Sequence, residues 1–326
     1  MLEDSEERGG SQALANANGV LKVIDMGALI CSPIAFGAIA TCASLAAAVA
    51  AMGAFAVLAC AAELPVVAHL AAGSPALEAM GSRRASVDEP RGQAAAPGLA
   101  SPSAMAAAYA AEPAARPALS LAVLYMTVLS FGNIMTGYLK AEGALDAEVA
   151  AFRGSGAVTG LLAAVLYSGL HRCLSLRASG TLGVWFQLAN VVGAAVACHP
   201  DVPLPPRARF ACLVVFVCCS RFGLWTFDMS VTQMIQESVP GDRIGRFNTA
   251  QESLQKAFEV VIYLLAMGFH RPRDFWVLAL VSAAGVLAAA ANFTLRPMAE
   301  KATAEKATEK AAEKATVAPE GSSAPL

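Results

Sequence analysis

The feature that most constrains this chain is a long stretch without any charged side chain. From Met26 to Ala62 the sequence contains no Asp, Glu, Lys or Arg. A helix that crosses a membrane needs about 20 mostly apolar residues, so this stretch predicts two closely packed crossings, over roughly 20–43 and 47–70. Only 15% of the chain is charged, where an ordinary soluble domain is about 25% charged. We therefore expect an all-α membrane protein.

The same criterion predicts six further membrane helices downstream, which brings the expected number to about eight. The least certain of them carries Lys256 and Glu259 inside its predicted limits. The six predicted helices lie at roughly 118–139, 148–170, 178–198, 208–237, 248–269 and 274–295.

Three polar segments flank or divide these helices. Residues 1–19 are polar and acidic and lack the pattern of a signal peptide, and residues 297–326 form a low-complexity tail. Residues 73–116, rich in Ala, Pro, Ser and Gly, predict a disordered linker between a two-helix block at 20–72 and a six-helix block at 117–296. Lys and Arg are more frequent on the side that holds the N-terminus, the linker, the tail and the loops HRCLSLR and GDRIGR than on the other side, which predicts that both termini and the linker are cytoplasmic.

The predicted helix at 208–237 contains polar residues that are costly in lipid. At 100° per residue, Arg221, Asp228 and Gln236 fall on one face of this helix. Insertion scales assign about 2.5–3.5 kcal/mol to an Arg or Asp at the centre of a span, so such residues usually face a bundle interior or an aqueous path. Two interpretations stay open: a transport path or gate, and a structural ion pair inside the bundle.

A partner for this polar face is expected near the start of the chain. Asn18, Lys22 and Asp25 recur at helical spacing on one flank of the first predicted span. Lys22 is predicted to reach Asp228, in which case reversing both charges should restore what each single reversal loses.

A third polar site is expected in the stretch SFGNIMTGY, at residues 130–138. Gly132 should weaken the helix there, and a loosened helix inside a membrane exposes carbonyl groups that can coordinate a cation. Asn133 and Thr136 add side-chain oxygens, and Glu259 is a further candidate for a metal or proton site. Close packing at the glycines, and a position at the helix end for Glu259, stay open as alternatives.

Four segments of this chain resemble the ferroportin family, solute carrier family 40. The most specific is RFGLWTFDMSVTQMIQESV, which begins at Arg221. The others are LYMTVLSFGNIMTGYLKAEGAL, the run NTAQESLQKAF, and the element formed by Asn18, Lys22, Ile24 and Asp25. The resemblance covers most of 14–296 apart from the linker.

The resemblance implies a major-facilitator-like fold of twelve helices in two halves of six. It also implies export of divalent metal by alternating access, chiefly of Fe²⁺, with Co²⁺ or Ni²⁺ handled by relatives. The resemblance also implies a gate that joins the two halves, formed by an Asp and an Arg. Asp228 stands at the position of the Asp, and Lys22 stands where the family usually has the Arg. No cofactor and no nucleic-acid partner is expected, since the net charge is −2 and no enzyme motif occurs in the sequence.

The chain also departs from the family in ways that bear on its substrate. It begins about four helices later than the family does, so the metal site of the N-terminal half is not expected in it. Asn133 stands where animal members have Cys, and an ungapped count places Ile262 where they have His. The SFGxxMT form is closer to plant members. Two alternatives to metal export follow: a non-transporting truncated fragment or isoform, and an exporter of another small substrate on the same fold.

Overall fold

The computed structural model describes residues 2–73 and 102–295, and all regular structure in these residues is helical. Helices are expected here, because in lipid each main-chain N–H and C=O must be paired within its own segment. In chain order the helices are α1 (Leu2–Cys42), α2 (Leu45–Gly73), α3 (Pro102–Ala111), α4 (Ala115–Val123), α5 (Asn133–Ala141), α6 (Asp146–Cys173), α7 (Leu176–Cys198), α8 (Pro206–Ser238), α9 (Gly241–Gly268) and α10 (Phe275–Leu295), with a 3-10 turn at Pro272–Asp274.

Five of the described helices are long and apolar enough to cross a membrane. Each agrees to within a few residues with a predicted span. The predicted spans 20–43, 118–139 and 248–269 have no counterpart among the five, so the expected number of eight is not reached in the described residues. The five are Leu45–His69, Ala147–Cys173, Leu176–Cys198, Arg207–Ser238 and Pro272–Leu295.

The predicted helix at 118–139 is wrong as a continuous span. The structure divides it into α4 and α5, separated by an irregular segment at 124–132, and Gly132 is the residue that precedes α5. Within this segment the Val128 N–H donates to the Ser282 Oγ at 2.9 Å. The Arg221 guanidinium donates to the Leu129 carbonyl oxygen. Side chains of α8 and α10 thus pair main-chain groups that the break leaves free, and the expected loosening at Gly132 is confirmed.

Aromatic packing holds the same break from the side of α6. Phe131 lies against Gly156, where an added methyl group would overlap its ring, and its ring centroid lies 4.7 Å from that of Phe152. The missing side chain at Gly156 therefore makes the space that Phe131 occupies.

Helices α7 and α8 pack backbone to backbone. A methyl group on Gly223 of α8 would lie 2.5 Å from the Gly183 carbonyl oxygen and 2.7 Å from the Gln187 nitrogen. Small residues permit such close approach in membrane helices. Helix α1 packs on α6 and α8, and α2 packs on α1. Only 6% of the apolar stretch of α2 is buried.

The end of the predicted linker is ordered, contrary to expectation. Tyr109 of α3 donates its hydroxyl hydrogen to the Gln251 Oε1 at 2.6 Å, and its ring stacks on Phe247 at 4.7 Å. Arg243 Nη1 lies 2.6 Å from the Glu112 Oε1. These contacts join α3 and the residue that follows it to α9, within a segment that is rich in Ala and Pro.

The remaining domain limits are only partly described. Residues 74–101 of the predicted linker and the tail at 297–326 lie outside the described residues. Helix α1 already begins at Leu2, so residues 2–19 of the predicted N-terminal segment and the first predicted span form one helix. The cytoplasmic position of these segments stays a prediction.

Candidate functional site

An ion pair joins the start of the chain to the polar face of α8. The Lys22 Nζ donates to the Asp228 Oδ2 at 3.1 Å, and both side chains are mostly buried, with exposed fractions of 17% and 19%. The same Nζ lies 3.9 Å from the ring centroid of Trp225, a cation–π contact. The predicted approach of Lys22 to Asp228 is confirmed. Asp25 is further from the Nζ, at 3.7 Å, and is largely exposed at the edge of this contact.

A second contact between α1 and α8 lies about one helical turn from the first along α1 and about two turns along α8. The Asn18 Nδ2 donates to the Gln236 Oε1 at 2.7 Å, and the Gln236 Nε2 donates back to the Asn18 Oδ1 at 3.2 Å. Each amide group donates one hydrogen bond and accepts one. The pair is therefore a polar contact that carries no charge. Both residues were predicted to belong to the polar face of their helix, and the structure brings them together.

A third layer of the α1–α8 contact was missed in the sequence. The Ser11 Oγ donates to the Glu237 Oε1 at 2.8 Å, and the Gln233 Nε2 donates to the Ser11 carbonyl oxygen at 3.0 Å. Tyr167 of α6 donates to the Gln233 Oε1 at 3.0 Å, and the His171 Nε2 lies 3.2 Å from the Ser11 Oγ. Glu237 and Gln233 stand out as polar residues in α8, but nothing in the sequence marks Ser11 as their partner.

A cavity of about 230 Å³ opens beside the break between α4 and α5. It is closed by α8 on one side and α9 on the other. Asn133, at the start of α5, and Glu259, on α9, both line it, as expected for candidate ligands. Thr136 is not among its lining residues, and its buried Oγ1 has no hydrogen-bond partner. The structure therefore brings two of the three predicted metal residues to one cavity.

The cavity also contains the charged residues of α8. Arg221 and Asp228 both line it, so one carboxylate belongs to the α1–α8 contact and to the cavity wall. Arg221 is only 5% exposed, and its Nε has no partner. Glu259 Oε2 lies 2.8 Å from the Lys256 Nζ. Each carboxylate of the cavity is thus paired with a lysine in this state.

The donors around the cavity are hard oxygen atoms. The described residues contain no cluster of three or more His, Cys, Asp and Glu side chains that could enclose a metal ion. Ile262, the position that the resemblance aligns with a histidine, lines the cavity and is 2% exposed. Carboxylate, amide and carbonyl oxygens suit a hydrated or weakly held divalent cation better than a tightly bound soft metal.

The apolar helices, the broken helix and the buried ion pair define a multi-pass helical membrane protein. The family described as Ferroportin1 (FPN1) matches residues 7–286 of this chain. The chain therefore belongs to the ferroportin family.

Relatives from plants and bacteria agree with this assignment. Solute carrier family 40 member 1 of Oryza sativa subsp. japonica is 34% identical over 189 residues, which is 58% of this chain and 39% of the rice protein. Ferreportin of Bdellovibrio bacteriovorus is 32% identical over 176 residues, covering 52% of this chain and 38% of the relative. The chain thus spans well under half the length of these curated relatives.

Solved structures show the same fold. A bacterial homologue of the iron transporter ferroportin, in an outward-facing state, matches with a TM-score of 0.70 at 24% identity, over 87% of this chain and 64% of that chain. The same kind of homologue with soaked iron matches with a TM-score of 0.53 at 28% identity, over 57% of this chain and 46% of that chain.

Proposed function

We propose that this chain works in the export of a divalent metal ion by alternating access, with Fe²⁺ as the first substrate to test and Co²⁺ or Ni²⁺ next. The observation that carries the proposal is that Asp228 belongs both to the α1–α8 contact and to the cavity wall. It closes the contact with Lys22 and also lines the cavity beside Asn133 and Glu259. Similarity to solved structures of a bacterial homologue of the iron transporter ferroportin, one of them with soaked iron, supports the choice of metal.

Asp228 connects closure of the α1–α8 contact to the state of the cavity. When α1 moves away from α8, the carboxylate of Asp228 loses the Lys22 ammonium and keeps its place in the cavity wall. A carboxylate without a counter-ion is unfavourable in a membrane interior, so a cation entering the cavity replaces the lysine. Metal and Lys22 therefore compete for one carboxylate, and the metal occupies the cavity only while the contact is open.

The other gate residues support this exchange. Asn18 and Gln236 add an uncharged contact that breaks together with the ion pair, and Asp25 holds Lys22 from the outer side. Arg221 fixes the irregular segment through the Leu129 carbonyl oxygen, so the break keeps its shape while α1 moves. Asn133 and Glu259 would offer oxygen atoms to the cation, and Thr136 would join them only after α5 rotates.

The direct test is metal transport by the purified chain in proteoliposomes. Asp228→Asn removes the charge that attracts the cation and keeps the shape, so the initial rate of Fe²⁺ or Co²⁺ flux should fall at least tenfold. Asp242→Asn is the matched control, because Asp242 lies exposed in the first turn of α9 and should leave the rate unchanged. Equal rates for the parent and Asp228→Asn would refute the role of Asp228.

Transport of another small substrate is the second candidate. The observation in its favour is the absence, among the described residues, of a cluster of His, Cys, Asp and Glu around the cavity. Metal that neither crosses the bilayer nor competes with the flux of a second solute would favour this candidate. A chain that moves nothing in a sealed vesicle would favour the non-transporting form.

The cytoplasmic position of both termini belongs to the same proposal and is tested by protease access from either side.

A further inference from the structure

A second cavity, of about 480 Å³, opens at the opposite end of the bundle from the Ser11 contacts. It lies where α5, α7 and α9 end and where α8 and α10 begin. Its charged lining residues are Arg209, Arg271, Arg273 and Glu142, and these define the basic pocket. We propose that the basic pocket binds a small oxyanion with two or more negative charges, the chemistry shared by polycarboxylates and phosphate.

The charge of the pocket points to an anion. Three arginines and one glutamate line it, so the lining carries a net charge of about +2 at neutral pH, because arginine stays protonated. Asp274, which is not a lining residue, lies beside Arg273 with its Oδ1 3.9 Å from the Arg273 Nε. Arg209 uses one Nη2 hydrogen on the Val202 carbonyl oxygen at 3.2 Å, and its Nε is buried without a partner. An anion in the pocket would interact with this guanidinium through charge-assisted hydrogen bonds, which are stronger than neutral ones.

The shape and access of the pocket suit a small ligand. Its volume falls within the range of roughly 300–1,000 Å³ that is usual for small-molecule sites. Tyr138 forms one wall and is held by its ring stacked on Phe275 with centroids 3.9 Å apart. Arg271 and Arg273 are exposed, so an anion can reach them from water. Each planar guanidinium offers two parallel N–H groups to one carboxylate or phosphate.

The position of the pocket gives the anion a part in transport. In the predicted orientation this end faces away from the cytoplasm, which is where the proposed export releases its cation. Three arginines would repel a divalent cation that returns to the mouth, whereas a bound polycarboxylate would accept it. This consequence depends on the proposed function, but binding of the anion by the pocket does not.

The test is isothermal titration of the purified chain in detergent with citrate and, separately, with phosphate. We expect saturable binding of at least one of them that weakens about tenfold in Arg271→Gln/Arg273→Gln and is screened by added salt. Arg207→Gln is the matched control, because it removes a positive charge at the same end of α8 from a residue that does not line the pocket. Its affinity should stay within about twofold of the parent.

A gain of affinity excludes a folding defect as the explanation. Glu142→Gln removes the single carboxylate of the lining. The variant should therefore bind the anion that the parent protein prefers several-fold more tightly than the parent does. Binding of citrate alone would identify a polycarboxylate site, and binding of both anions a general oxyanion site. No binding of either anion, an equal loss in Arg207→Gln, or an unchanged affinity in Glu142→Gln would each overturn the proposal.

Discussion

Asp228 illustrates how a single residue can connect two parts of this molecule. Its carboxylate is 3.1 Å from the Lys22 Nζ and also forms part of the cavity wall. Within a bilayer a carboxylate is tolerated when it is paired. The structure provides one such partner on α1, and the proposed mechanism provides the metal as the other.

The Lys22–Asp228 contact should behave as a coupled pair in stability. Either single reversal, Lys22→Asp or Asp228→Lys, leaves two like charges in contact and should lower the melting temperature in detergent. The double reversal should recover most of the loss, with a coupling energy of about 0.5–3 kcal/mol between the two positions. A double variant no more stable than the worse single one would show that the pair is not in contact.

The same double variant separates the contact from transport. Because it restores the ion pair but puts an ammonium group in the cavity wall, metal flux should stay low while the melting temperature recovers. Recovery of both properties would contradict the competition between Lys22 and the metal.

Asn133 should influence which metal the cavity accepts. Asn133→Cys replaces a hard oxygen donor by a thiolate, which favours softer metals. The ratio of Co²⁺ to Mn²⁺ flux, measured in competition, should therefore rise several-fold. Asn190→Cys adds the same thiol to a half-buried position of α7 outside the cavity and should leave the ratio unchanged.

At the scale of elements, the break between α4 and α5 depends on groups from other helices. Ser282→Ala removes the acceptor of the Val128 N–H, and a buried donor without a partner costs about 1–3 kcal/mol. The melting temperature in detergent should fall accordingly. Ser253→Ala is the control, since Ser253 is exposed and bonds only the carbonyl group one turn earlier in its own helix. A similar effect of both substitutions would mean that the Ser282 bond does not hold the break.

The crossing of α7 and α8 should be sensitive to one methyl group. In Gly223→Ala the new Cβ would meet main-chain atoms of α7, which can move only if the helices separate. Overpacking of this kind costs about 1–3 kcal/mol, so we expect a lower melting temperature. Gly154→Ala, in α6, meets no atom within 4 Å and should be neutral or slightly stabilising. Equal stability of the two variants would show that the crossing can relax.

At the scale of the whole molecule, the proposal predicts that metal opens the α1–α8 contact. Cysteines at positions 18 and 236, with the native cysteines replaced by serine, should react with a short thiol cross-linker more slowly when Co²⁺ is present. The reason is that metal bound to Asp228 displaces Lys22 and shifts the population toward the open state. In an added Asp228→Asn background Co²⁺ should have no effect, which controls for direct binding of the metal to the thiols. A cross-linking rate that metal leaves unchanged in the parent would contradict the competition.

Much of this architecture follows from local patterns in the sequence. Uncharged stretches of about 20 residues predict helices such as Leu176–Cys198, because lipid leaves the backbone few alternatives. Helical spacing also put Lys22 and Asp228 on faces that meet. The Ser11 contacts and the cavity depend on which helices pack together, and hydropathy along the chain does not encode that. The break at 124–132 shows the same limit. Gly132 marks its place in the sequence, but Ser282, which accepts the hydrogen bond from the Val128 N–H in the break, lies far along the chain.

The shared use of Asp228 has a consequence that reaches beyond transport. Two ligands that compete for one group are linked reciprocally: whatever factor the metal applies to the affinity of α1 for α8, α1 applies to the affinity of the metal. In the proposed mechanism, any change that tightens the helix contact, including a change in bilayer thickness or lateral pressure, must therefore weaken metal affinity, by up to the same factor. The membrane itself would then act as an effector of metal binding, without touching the cavity.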